Sequence, residues 1–95
     1  MLWALQTTAS FDRQARKFLK QHPDLRARIR EVFAQLQDDP FHPQLKLHAL
    51  TGRLDGLQAV RINFSYRVVL AMQIQTQSIV LLDIGSHDAV SNKYR

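Results

Sequence analysis

Lys46, His48, Arg61, Arg67 and His87 are cations and imidazoles that fall on strands or at strand ends in the pattern of this chain. RNA cleavage calls for such a set. A base takes the proton from a ribose 2′-OH, which attacks the neighbouring phosphorus. An acid protonates the departing 5′-oxygen, and fixed cations stabilise the charge that builds on the phosphoryl oxygens. Histidine titrates near pH 6.5 and serves either proton-transfer role at neutrality. Arginine keeps its proton, and its planar fork suits phosphate oxygens. Each residue also has an ordinary reading. His87 in a polar turn is a surface histidine, and His48 packs its ring beside Leu47 and Leu50. Arg61 and Arg67 are cross-strand partners of carboxylates such as Asp55 or Asp83, and His42, between two prolines, belongs to a turn.

The stretch LLDIGSHDAV, residues 81–90, focuses the question. Leu81, Leu82 and Ile84 belong inside a protein, and Gly85, Ser86, His87 and Asp88 follow at once. The expectation is a buried strand whose Gly85 lets the backbone turn at a cleft and offers His87 there. Asp88 then orients His87 or caps the turn. A Ser-His-Asp relay from Ser86, His87 and Asp88 is unfavourable, because consecutive residues point in different directions. No two histidines stand at i, i+4, and the glycines, Gly52, Gly56 and Gly85, form no phosphate-cradling loop, so neither a metal nor a cofactor is expected.

These residues need a scaffold, and its size is bounded. Ninety-five residues suit one domain spanning 1–95 with a single modest core. A hydrophobic fraction of 45% and a charged fraction of 22% mark a folded chain rather than a disordered tail. The absence of cysteine excludes disulfides and thiolate chemistry and fits the cytoplasm. No apolar run approaches the roughly 20 residues of a membrane span, and the first residues lack the basic start and apolar stretch of a signal peptide. A net charge of +5 biases the domain towards polyanions: nucleic acid, the ribosome or an acidic protein.

Residues 2–7 read as a short strand, with Trp3 and Leu5 on one face. Thr8 or Ser10 caps a helix whose Phe11, Ala15, Phe18 and Leu19 form one stripe, and His22-Pro23 ends it. A second helix is expected from about Asp24, as N-cap, to Gln37, with Leu25, Ile29, Val32, Phe33 and Leu36 on its apolar face. From Pro40 the period changes. A Pro- and Gly-punctuated connection leads to alternating segments at 57–64, 66–74 and 78–85, whose short links join antiparallel strands. The order β-α-α-β-β-β implies an α+β fold, a helical hairpin packed on one face of a mainly antiparallel sheet. The other face is left open, with Arg61 and Arg67 as candidates for it. Residue patterns alone thus reach a basic α+β domain directed at RNA.

The pieces DPFHP, KLHALTGRLDGL, VRINFSYRVVL and LLDIGSHDAV, in this order and spacing, resemble the RelE/ParE superfamily of type II toxins, and particularly its RelE/YafQ-like mRNA interferases. The N-terminal strand and helical hairpin fit as well, so the resemblance covers nearly the whole chain. It implies a microbial-RNase-like sheet and a toxin that enters the ribosomal A site and cuts the translated mRNA, silenced by a cognate antitoxin. By the same resemblance His48 is a candidate general base and His87 a candidate acid, with Arg67 and Arg61 contacting phosphate and Lys46 and Asp88 beside them. Family members commonly carry an aromatic residue after H-D-x-V that stacks on an mRNA base. Here that position is Ser91, and Tyr94 is the nearest substitute. ParE-like members of the same fold inhibit DNA gyrase by binding alone, and a non-catalytic member would retain antitoxin or DNA binding.

Overall fold

The computed structural model describes residues 2–50 and 56–93. Strand β1 (Ala4–Thr7) leads into helix α1 (Ala9–Gln21). Thr8 starts that helix: its backbone is extended, and its Oγ1 accepts from the Phe11 amide at 3.0 Å. This satisfies one of the amides a helix start leaves free. His22, just before Pro23, leaves helical geometry at φ −133° and ψ 62°, and the helix stops. Helix α2 (Arg26–Asp38) differs from expectation at its start. Asp24 does not cap it but lies within a 3-10 turn, Pro23–Leu25, that proline's fixed φ opens. The far end falls at Asp38, where Asp39 turns extended ahead of Pro40.

After a second 3-10 turn, Pro43–Leu45, come β2 (His48–Ala49), β3 (Leu57–Arg61), β4 (Tyr66–Gln73), β5 (Ser78–Ser86) and a short helix α3 (His87–Lys93). The sheet order is β1-β5-β4-β3-β2. Neighbours are antiparallel except β1, which runs parallel to β5. The α+β class is therefore as expected, with two additions: the short β2 and helix α3, where a polar turn was anticipated.

Trp3, Phe11, Phe18, Ile29, Val32 and Leu36 pack on one sheet face against Val60, Ile62, Val68, Leu70, Ile79, Leu81 and Ile84. Full burial of such side chains contributes about 1.5–3 kcal/mol each. A bulge fixes which β5 residues share this face. Val69 pairs with Asp83 but Leu70 pairs with Leu81, leaving Leu82 as the extra residue. That single insertion turns both Leu81 and Ile84 towards the helices and sends Asp83 and Gly85 to the opposite side.

Helix α3 lies over part of that opposite side. Val90 is buried there, its Cγ2 3.7 Å from where a Cβ on Gly85 would stand, and Lys93 Nζ donates to Asp83 Oδ2 at 2.9 Å. Ser86 Oγ accepts from the Ala89 amide at 3.1 Å and caps the first turn. Gly85 is thus no hinge. It is a strand residue without positive φ, and the chain changes course after Ser86 because a capped helix begins there.

Candidate functional site

The open face displays a pair of like charges. Arg61 on β3 and Arg67 on β4 are direct cross-strand partners, and Gly85 on β5 is the next partner of Arg67. Facing residues on adjacent strands share a side of the sheet, and Val60 opposite Val68 fills the core side. Neither arginine pairs with Asp83, one of the carboxylates suggested for it. Asp83 holds Lys93, and Asp55 lies outside the described residues. Among the described residues, neither Arg61 nor Arg67 forms an ion pair.

The turn between β3 and β4 holds the Arg67 side chain. Asn63 Oδ1 accepts from the amides of Ser65 (2.9 Å) and Tyr66 (3.0 Å), and the Ile62 amide closes onto Tyr66 O at 3.0 Å. Arg67 Nη1 donates to Asn63 O at 2.9 Å and Tyr66 O at 3.2 Å, so this guanidinium is also a clamp on the turn. From the helical layer, Arg28 Nε donates to Ile62 O at 2.7 Å. Burial, and then the neighbouring Arg61 charge, lowers the Arg67 pKa from its ordinary value. Because arginine begins so high, the cation persists, and an arriving anion relieves the repulsion. The Arg61 guanidinium lies 5.5 Å from the centre of the Phe64 ring.

His87 reaches this place through its backbone. Its amide donates to Ser65 O at 2.9 Å, tying the start of α3 to the same turn. Arg61, Phe64, Ser65, Arg67, Ser86, His87 and Asp88 line an open cleft of about 470 Å³. Asp88 is a loose neighbour, its Oδ1 3.6 Å from His87 Nδ1, and it is 96% exposed. It places a carboxylate near the imidazole without locking the ring.

Lys46 and His48 sit one strand further out. Lys46 takes the left-handed conformation (φ 53°, ψ 43°) that closes the 3-10 turn, and it lines a second groove of about 590 Å³ with Arg28, Gln44 and Asn63. Arg61 belongs to both grooves. His48 pairs with Ala59, which places it on the Arg61 face of the sheet, exposed and outside the lining of either groove. Its Nδ1 lies 2.8 Å from Lys46 O. A carbonyl only accepts, so Nδ1 carries the hydrogen and neutral His48 presents Nε2 as a lone pair. His42 is the turn residue expected, with its Nδ1 accepting from the Gln44 amide at 3.1 Å. Tyr94 lies outside the described residues.

Two participants escaped the sequence reading. Strict alternation from Gln58 through Val60 and Ile62 puts Phe64 inside, yet it is 82% exposed, because the period ends where the turn begins. Arg28, on helix α2, received no functional reading. Its position one turn before the buried Val32 was the available signal.

Known proteins share this architecture. A copper-bound mutant toxin from Helicobacter pylori is 27% identical, with a TM-score of 0.75 over 95% of this chain and 99% of that one. The E. coli DinJ-YafQ toxin-antitoxin complex gives 0.77 at 13% identity, over 95% and 98%. The RelBE2 toxin-antitoxin complex of Mycobacterium tuberculosis gives 0.73 at 19%, over 92% and 100%. The latter two likenesses concern the fold alone. No curated protein matches the chain. The family model described as "Bacterial toxin of type II toxin-antitoxin system, YafQ" matches residues 3–92, and with that span covering nearly every element above, the chain belongs to the YafQ family of type II toxins.

Proposed function

We propose that this toxin is a ribosome-dependent mRNA endonuclease that arrests translation and is silenced by a cognate antitoxin covering its basic cleft. The observation that carries the reading is Arg61 facing Arg67 with neither in an ion pair among the described residues. Like charges directly opposite on a sheet destabilise it; the turn clamp accounts for Arg67 but not for a second cation facing it, whereas a phosphate bridging two guanidiniums accounts for both. His87 stands at the rim of the same cleft as the acid for the leaving 5′-oxygen. His48, with Nε2 free, is the base for the 2′-OH. Arg67 and Arg61 hold the phosphoryl oxygens, Lys46 extends the positive track, and Asp88 sits beside His87. The solved relatives that include an antitoxin support a protein partner of that kind. The site is open and offers little surface for reading bases, so the ribosome supplies the positioning of mRNA.

The test is to express wild type, His48→Ala and His87→Ala and to map mRNA ends during translation. Both histidines are exposed, so the variants fold. Wild type should produce new ends within translated messages, and loss of an acid or base should lower the rate about 10²–10⁴-fold. Growth arrest with intact mRNA and failed gyrase supercoiling would refute the reading. Variants that cut like wild type would remove the histidine assignments.

A further inference from the structure

Phe64 is the most exposed large apolar side chain in the described residues, at 82%, and it lines the cleft that also holds Arg61, Arg67 and His87. An aromatic ring left in water at the tip of a turn gives up the burial that normally favours it. The turn that carries it is nevertheless held firmly. The turn beneath it is cross-linked by Asn63 Oδ1 to two amides, by Arg67 Nη1 to the carbonyls of Asn63 and Tyr66, and by the His87 amide to Ser65 O. The Arg61 guanidinium, 5.5 Å from the ring centre, lies within the roughly 6 Å at which a cation is drawn to an aromatic face. Folding has thus produced a water-facing ring on a braced turn, beside a pair of cations.

We infer that Phe64 is a base-stacking platform on which one unpaired nucleotide next to the bound phosphate lays its base. The inference rests on the RNA-cleaving reading above and deepens it by assigning a nucleotide subsite. Single-stranded nucleic acid is held by this combination, a cationic track for the backbone with aromatic faces for the bases. Stacking tolerates any base, since every base has a π-face, so Phe64 orients the strand without specifying sequence. Arg61 couples the two parts: one guanidinium contacts the ring and shares the cleft where phosphate binds. A base seated on Phe64 therefore fixes the distance along the strand to the phosphate between Arg61 and Arg67.

The experiment uses short RNAs carrying the fluorescent adenine analogue 2-aminopurine at successive positions, with the intact protein as wild type, Phe64→Ala, Phe64→Leu and Phe64→Trp. Wild type and Phe64→Trp should quench one position, and the alanine and leucine variants should not. On programmed ribosomes, Phe64→Ala and Phe64→Leu should cut roughly 5- to 150-fold more slowly, the worth of one stacked base. An abasic nucleotide at the quenched position should erase that difference, which a role through Arg61 and phosphate alone would not do. Wild-type levels of quenching by Phe64→Leu, or a defect that persists on abasic RNA, overturns the inference. So does a variant that cuts normally but loses affinity for its antitoxin, which would make Phe64 a protein-docking residue. If wild type quenches 2-aminopurine but cuts no message, the cleavage reading fails while the stacking subsite stands.

Discussion

Replacing Arg61 by glutamine separates a cation kept for folding from one kept for a ligand. In the folded protein two contributions change. Repulsion from Arg67 directly across the strands disappears, a gain of about 0.2–1 kcal/mol for like charges in that position. The contact with the exposed Phe64 ring is lost, a cost of about 0.5–1 kcal/mol. The two nearly cancel, so stability should stay within about 0.8 kcal/mol of wild type. With a urea slope of about 1 kcal/mol/M, the unfolding midpoint then moves by no more than about 0.8 M. RNA binding behaves differently. A charge-assisted hydrogen bond to phosphate contributes about 1.5–3 kcal/mol, so affinity for a short RNA should fall roughly 10- to 150-fold. The slope of log affinity against log salt should also become shallower by about 0.7, the change for one phosphate contact on a single strand. Urea unfolding and fluorescence anisotropy at several salt concentrations give all three values. A stability loss above about 1.5 kcal/mol with an unchanged salt slope would show that Arg61 serves the fold, and would refute the phosphate-bridge reasoning.

Arg67→Gln should behave otherwise, because Arg67 also clamps Asn63 O and Tyr66 O. Losing those bonds should cost roughly 1–3 kcal/mol in urea unfolding besides the loss of RNA affinity. Val90→Ala removes buried methyl groups worth about 1.6 kcal/mol at about 0.8 per carbon, and undocking α3 should speed hydrogen exchange at the His87 amide. Thr8→Ala removes the α1 cap and should lower the thermal midpoint by roughly 4–8 °C, the shift for about 1 kcal/mol in a domain of this size; Thr8→Ser should retain most of it.

The parts of the fold legible in the sequence are those set by periodic burial. Phe11, Phe18, Ile29, Val32 and Leu36 mark both helices, and Val60 and Val68 set the faces that place Arg61 beside Arg67. Helix α3 was hidden because only Val90 turns inward in its short length, so no stripe exists to be read. The bulge at Leu82 was hidden for a different reason. It is a pairing choice between strands, and a run of Leu81, Leu82, Asp83 and Ile84 is compatible with either register. The site followed the same division. Residue types and faces were readable, whereas the Arg67 clamp, the exposed Phe64 and the tether of His87 to Ser65 depend on turn geometry that one-dimensional patterns do not encode.

The parallel pairing of β1 with β5 has a bearing on how the toxin comes into being. Ala4 through Thr7 find their partners only at Ser78 through Leu81, so the first strand made must wait for the last before it can join the sheet. Contacts spanning so much of the chain carry a large loop-closure entropy and slow the folding step that forms them. A nascent chain that stops short of β5 has no seat for β1, no strand to carry His87, and no second wall for the cleft. Harmful activity thus emerges in one event, once β5 has been made, rather than gradually along synthesis. Fragments left by interrupted translation or proteolysis should be inert, and the interval before closure is a window in which a partner can meet the chain ahead of its target.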